Sequence, residues 1–195
     1  MKKTLLAALL CACTLSNAQA AVLTFDDIPG ARQDGYGAIG SYAGYTFGAT
    51  VLENRMDWID SASELYGRGA VSGDFTMVNN YGGAAVIKKD GGGSFSFGGM
   101  WAENWLDFET SSGSIQGWLD GQLVWTRDVT LDTSFGRIAG IAGNIDELRL
   151  DIAGNFLVDD LELNEAAAEV PEPASGALLG LGLAGLLLGR RAKRP

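Results

Sequence analysis

Two aspartate doublets, Asp26-Asp27 and Asp159-Asp160, and five tryptophans are the residues of this chain best equipped for chemistry. Calcium takes six to eight oxygen ligands, and carboxylates gathered without a cation repel one another, so all four aspartates are candidate ligands of a structural calcium. No EF-hand spacing accompanies them, and the alternative is that they cap turns or sit on strand edges. Sugar rings stack on flat aromatic faces. Trp118 and Trp125, on either side of Asp120-Gly121, are the candidate carbohydrate-stacking pair. Core packing and hairpin stabilisation compete for these tryptophans, as for Trp58, Trp101 and Trp105. Tyr36, Tyr42, Tyr66 and Tyr81 in Gly-rich stretches are equally plausible platforms.

Catalysis is the less economical reading. Glycosidases use two carboxyl groups about 5 to 9 Å apart, and Glu53, Glu103 and Glu109 are the glutamates near aromatic strands. Solubility and calcium explain the surplus of acids better, so no catalytic residue is expected. The chain has no histidine, which removes Ser–His and Cys–His nucleophile pairs and every His-containing zinc site. Gly91-Gly92-Gly93 lacks the Gly-Lys-Ser/Thr of a phosphate loop, and a hairpin turn accounts for it.

The 195 residues carry 24 acids against 14 bases. Six of the bases lie at the extreme ends, which leaves eight against all 24 acids between, a balance of −16. A body this acidic repels polyphosphate, so nucleic acid is excluded as a partner.

The ends read as processing and anchoring segments. Residues 1–20 have the layout of a signal peptide: Lys2 and Lys3, an apolar stretch from Thr4 to Leu15, then Ala18-Gln19-Ala20 for signal peptidase, with the mature chain starting at Ala21. A lipoprotein cut before Cys13 has a poor lead-in. Both cysteines, Cys11 and Cys13, fall inside this segment, so the exported protein is expected to fold without a disulfide. At the other end, residues 165–173 form a linker ending in Pro171-Glu172-Pro173. An apolar run of 16 residues follows, from Ala174 to Gly189. As a helix it spans about 24 Å, short of the roughly 30 Å hydrocarbon core. It is the expected transmembrane helix. Arg190, Arg191, Lys193 and Arg194 in the tail, residues 190–195, act as a stop-transfer signal that holds the tail in the cytoplasm.

This tail resembles the PEP-CTERM sorting signal of Gram-negative bacteria: a Pro-Glu-Pro motif, a short Leu/Gly/Ala-rich membrane helix and an Arg-rich end. The same segment is catalogued as the "ice-binding protein C-terminal domain", a label that says little about activity; no flat array of threonines supports it here. The resemblance implies recognition by an exosortase, a membrane cysteine protease thought to cleave near the motif in bacteria that make extracellular polysaccharide. Two prolines around one carboxylate give a stiff, extended peptide that such a protease can grip.

Between these ends, residues 21–164 show short alternating runs broken by Gly-containing turns every eight to twelve residues. Roughly ten strands are expected, with Asp120-Gly121 as a type I′ hairpin turn and one short helical turn near Trp58 to Leu65. The fold class is all-β, a single two-sheet sandwich of jelly-roll type. Alternation puts Asp159 on the face of Leu157 and Leu161. Leu23-Thr24-Phe25-Asp26-Asp27, Val71-Ser72-Gly73-Asp74 and Phe156 to Leu161 together are similar to other PEP-CTERM ectodomains, and loosely to jelly-roll carbohydrate-binding modules. That resemblance implies pairing of the first and last strands, with a structural calcium near their junction. The expected protein is exported, held briefly in the inner membrane, and then placed at the cell surface or in extracellular polysaccharide in a non-enzymatic structural or binding role. A calcium-dependent carbohydrate-binding module is the alternative, and a glycan-active enzyme a distant third.

Overall fold

Alternating side-chain size sets the strands. In Tyr45–Ala49, for example, Tyr45, Phe47 and Ala49 are buried while Thr46 faces solvent, the period of two that a half-buried strand requires. The computed structural model describes residues 20–50, 55–105 and 110–165. These form thirteen strands and no helix, in two antiparallel sheets. The first sheet runs β11 (Gly136–Ile145), β8 (Phe95–Asn104), β13 (Phe156–Glu165), β6 (Phe75–Val78), β5 (Asp57–Asp60) and β2 (Tyr36–Ala38). In the same sheet β1 (Ala20–Leu23) pairs with the far end of β13. The second runs β10 (Gln122–Leu131), β9 (Ser111–Leu119), β12 (Glu147–Ile152), β7 (Ala85–Lys89), β4 (Tyr45–Ala49) and β3 (Gly40–Tyr42).

The sheets face each other across a core that includes Phe25, Phe47, Phe95, Phe97 and Phe156. Aromatic pairs cross it: Tyr45 of β4 meets Phe95 of β8 edge-on at 5.3 Å, and Trp125 of β10 stacks on Phe97 of β8 at 6.2 Å. This is the expected sandwich. The first strand pairs with the last, Ala20 opposite Asn164 and Leu23 opposite Leu161. Asp120 and Gly121 close the β9–β10 hairpin with φ of 51° and 73°, the positive values a type I′ turn demands.

Two local expectations fail for identifiable reasons, and a third is displaced. Trp58 is in β5, so the expected helical turn comes later: the Ser63 carbonyl accepts the Tyr66 amide at 3.2 Å and the Gly67 amide at 2.7 Å, with the Asp60 carboxylate capping the turn at the Ser63 amide at 3.1 Å. Asp90 to Gly93 does not make a hairpin, because it carries the chain from β7 in one sheet to β8 in the other. Leu157 and Leu161 do not share a face. The ladder shifts register after Asp159, with Asp160 at φ 46°, so this bulge turns Leu161 into the main core while Leu157 joins a second cluster with Ile59 and Val78.

The sorting motif, the apolar run, the basic tail, Ala18 and the signal segment before it lie outside the described residues. Ala20 and Ala21, the residues flanking the expected cleavage point, begin β1.

Candidate functional site

Residues 61–74 leave β5, cross the outer face of the first sheet and return to β6. Their ends are joined by the Ser61 amide to the Asp74 carbonyl at 2.9 Å, which makes the segment a closed loop of the Ω kind. Its middle is tied down by the Arg68 guanidinium, which donates to the Trp105 carbonyl at 2.6 Å. Tyr66 packs on the second cluster beneath.

Both aspartate doublets hold this loop. The Asp159 Oδ2 accepts the amides of Val71 at 2.8 Å and Ser72 at 3.0 Å, and its Oδ1 accepts the Asp160 amide at 2.7 Å. Asp160 accepts the Ser72 hydroxyl at 2.7 Å. From the other end of the chain, Asp26 Oδ1 accepts the amides of Asp74 at 2.8 Å and Phe75 at 3.1 Å. Asp27 takes the Tyr42 hydroxyl. Gly73 is required where the carboxylate of Asp26 presses closest. Its φ is 54°, and a Cβ there would lie 2.0 Å from the Asp26 oxygens. The three stretches singled out in the sequence therefore do meet, through carboxylate-to-amide bonds. Among the described residues no group of three or more acidic side chains is arranged to hold a metal ion.

Two carboxyl groups on this face are perturbed. Burial pushes Asp159 up to about 6, against the amides of Ser72, Asp160 and Val71, which favour its ionised form. Glu103 lies on β8 between Trp101 and Trp105, only 2% exposed, and its Oε1 has no hydrogen-bond partner among the described residues. Burial pushes it up to about 7, opposed by the Arg68 charge. The folded chain therefore holds protons that the unfolded chain releases between pH 4.5 and 7. Stability falls as pH rises through that window and levels off above it. At ~1.4 kcal/mol per pKa unit, less what a buried amide costs, Glu103→Gln should stabilise the protein by about 2 kcal/mol at pH 8 and destabilise it by about 1 kcal/mol at pH 4.5. Thermal melts across this range read both the gain and the flattened slope; parallel curves for the two proteins would contradict it. Glu53 and Glu109, the other candidate glutamates, lie outside the described residues.

The outer face of the second sheet is different. Register sets Lys88 of β7, Glu147 of β12 and Trp118 of β9 side by side in one row. Lys88 Nζ is 2.7 Å from Glu147 Oε2, and Arg149 pairs with the other oxygen of the same carboxylate. The Arg149 guanidinium also lies 4.2 Å from the Trp118 ring centre, and the indole N–H donates to Gln116 at 3.0 Å. Grooves of about 430 Å³, over Gly48 and Val86, and about 400 Å³, over Gly92 and Gly121, adjoin Lys88. Aromatic surface flanked by fixed charges of both signs suits a hydroxyl-rich ligand. Trp125 is not part of this platform. It faces inward over Gly117, where a Cβ would sit 2.1 Å from the indole, and packs on Phe97. Of the tyrosines, Tyr36 and Tyr81 are exposed, while Tyr42 and Tyr66 are half-buried against neighbouring rings. Glu147, Arg149 and Lys88 were missed in the sequence, since only strand register makes them neighbours.

Outside the sandwich, residues 169–194 match the PEP-CTERM protein-sorting motif. The chain carries this sorting signal. PEP-CTERM sorting implies an exported protein processed by exosortase, and the match covers the whole sequence-derived assembly of Pro171-Glu172-Pro173, apolar run and basic end. No curated protein matches the chain. Its fold is similar to solved structures at low identity. A DUF4465 family protein from Bacteroides caccae is 9% identical, with 76% of this chain and all of the other covered at a TM-score of 0.46. The enzymatically active domain of bacteriophage CBA120 tailspike protein 4 is 14% identical over 65% of this chain and 20% of that one, at 0.36. A family 11 carbohydrate-binding module of a cellulosomal cellulase from Clostridium thermocellum is 13% identical over 77% of this chain and 97% of the module, at 0.28.

Proposed function

We propose that this is an exosortase-sorted surface or matrix protein whose sandwich has a non-enzymatic structural or binding role within or beside extracellular polysaccharide. The sorting signal at residues 169–194 carries this reading. Signal peptidase releases Ala21, the apolar run from Ala174 to Gly189 holds the chain in the inner membrane, and Pro171-Glu172-Pro173 presents it for processing. In the sandwich, the Trp118 face of the second sheet supports the binding role. The indole, with the Arg149 guanidinium over its face, offers an apolar edge, and Lys88, Glu147 and Arg149 offer donors and acceptors to hydroxyl groups.

Retention on the producing organism's own polysaccharide tests this. Trp118→Ala should weaken retention about tenfold, the effect of losing one aromatic contact worth about 1.4 kcal/mol. Trp125→Phe, on the core side, should leave it unchanged. Equal retention of all three proteins would remove the platform from the account. Loss of wild-type retention on chelation would instead favour the calcium-dependent module.

A further inference from the structure

A sandwich with open sheets must protect its edge strands, because their free amides and carbonyls invite another strand. Most edges here are guarded. β2 and β3 are three residues each. β11 is long, but guanidinium groups occupy its carbonyls: Arg137 donates to Ile138 and Arg127 to Ala139, both at 2.6 Å. Among the described residues β1, which pairs with β13 alone, is open but only four residues long, and β10 is the long exception. It has ten residues, pairs with β9 on one side and with no described strand on the other, and contains neither lysine nor proline. Leu123 and Val124 on it are 48% and 47% exposed. Its one arginine, Arg127, is turned away toward β11.

Charge points to what could approach this edge. Residues 122–145 contain Arg127 and Arg137 against Asp128 and Asp132, a balance of zero, in a body whose total is −16. Two copies of so acidic a protein repel across most of their surface, and the neutral edge is where that repulsion is weakest.

We propose that β10 pairs antiparallel with β10 of a second copy of this chain, about a two-fold axis at Thr126. In that register Val129 lies opposite Leu123, Asp128 opposite Val124 and Arg127 opposite Trp125, so no like charges face each other. Nine residues from Gln122 to Thr130 pair, and the two six-stranded sheets become one continuous sheet. An isologous contact of this kind closes on itself as a dimer. The two Trp118 faces then lie on the same side of the joined sheet.

The full chain, extracted from membranes in detergent, tests this by disulfide trapping and sedimentation. In a background with Cys11 and Cys13 replaced by Ala, Thr126→Cys should give a disulfide-linked dimer under mild oxidation, since directly opposed residues lie within disulfide reach. Thr46→Cys, exposed on β4, should stay monomeric under the same conditions. In sedimentation the unsubstituted chain should run as a dimer. Val124→Lys with Thr126→Lys should run as a monomer with an unchanged far-ultraviolet circular dichroism spectrum. The proposal is overturned by equal cross-linking at both positions, by none at Thr126→Cys, by a linked product that is not twice the chain mass, or by a monomeric unsubstituted chain. A dimer that survives the lysines also overturns it and places the contact in the membrane segment.

Discussion

Asp159→Ala is expected to lower the stability of the protein by about 4 kcal/mol and to make residues 61–74 sensitive to trypsin at Arg68 before the sandwich unfolds. The carboxylate is fully buried and accepts three amides, those of Val71, Ser72 and Asp160. Truncation leaves these donors without an acceptor, at about 1 to 3 kcal/mol for each that water does not reach. Part of that loss is returned. Burial has pushed Asp159 up to about 6, so above that pH its ionised form opposes folding, and alanine removes the opposition. Asp159→Asn keeps one acceptor oxygen but turns a donor toward the amides, and should fall between. Urea unfolding and timed proteolysis of the purified chain measure both effects. An unshifted urea midpoint for Asp159→Ala would mean that the loop is held by Arg68 and Tyr66 instead.

This loop also marks how far the sequence could be read. Alternation and the Asp120-Gly121 turn were enough for an all-β sandwich, because a half-buried strand writes its burial into every second residue, as in Leu148, Leu150 and Ile152. The two doublets and the central Val71 to Asp74 stretch were recognisable as a set. Their partners were not, because backbone amides have no letter in a sequence, and clustered carboxylates read there as metal ligands. The bulge at Asp160 was hidden for a related reason: a one-residue slip reverses the faces of all that follow without changing composition. The row Lys88, Glu147 and Trp118 comes from three strands far apart in sequence, and register, which local pattern does not fix, makes it contiguous.

Replacing Pro171, Glu172 and Pro173 together with Ala should leave the uncleaved chain in the inner membrane and abolish its release. Proline fixes φ and denies a helical hydrogen bond, which is why Pro171-Glu172-Pro173 is proposed as the peptide a membrane protease grips. Alanine does the reverse. It is the best helix former, and three alanines would let the proposed membrane helix from Ala174 extend by 3 residues. A 16-residue run of about 24 Å then becomes 19 residues of about 29 Å, close to the bilayer's roughly 30 Å. On this proposal the substitution removes the peptide the protease grips and lengthens the membrane span together. Fractionation and an antibody to the sandwich read the outcome, with the Asp159→Ala chain as a control that alters the sandwich but not the signal. Release of the triple-alanine chain at the native rate would show that neither the imino acids nor the carboxylate is what the sorting machinery reads, and the assignment of these residues would fall.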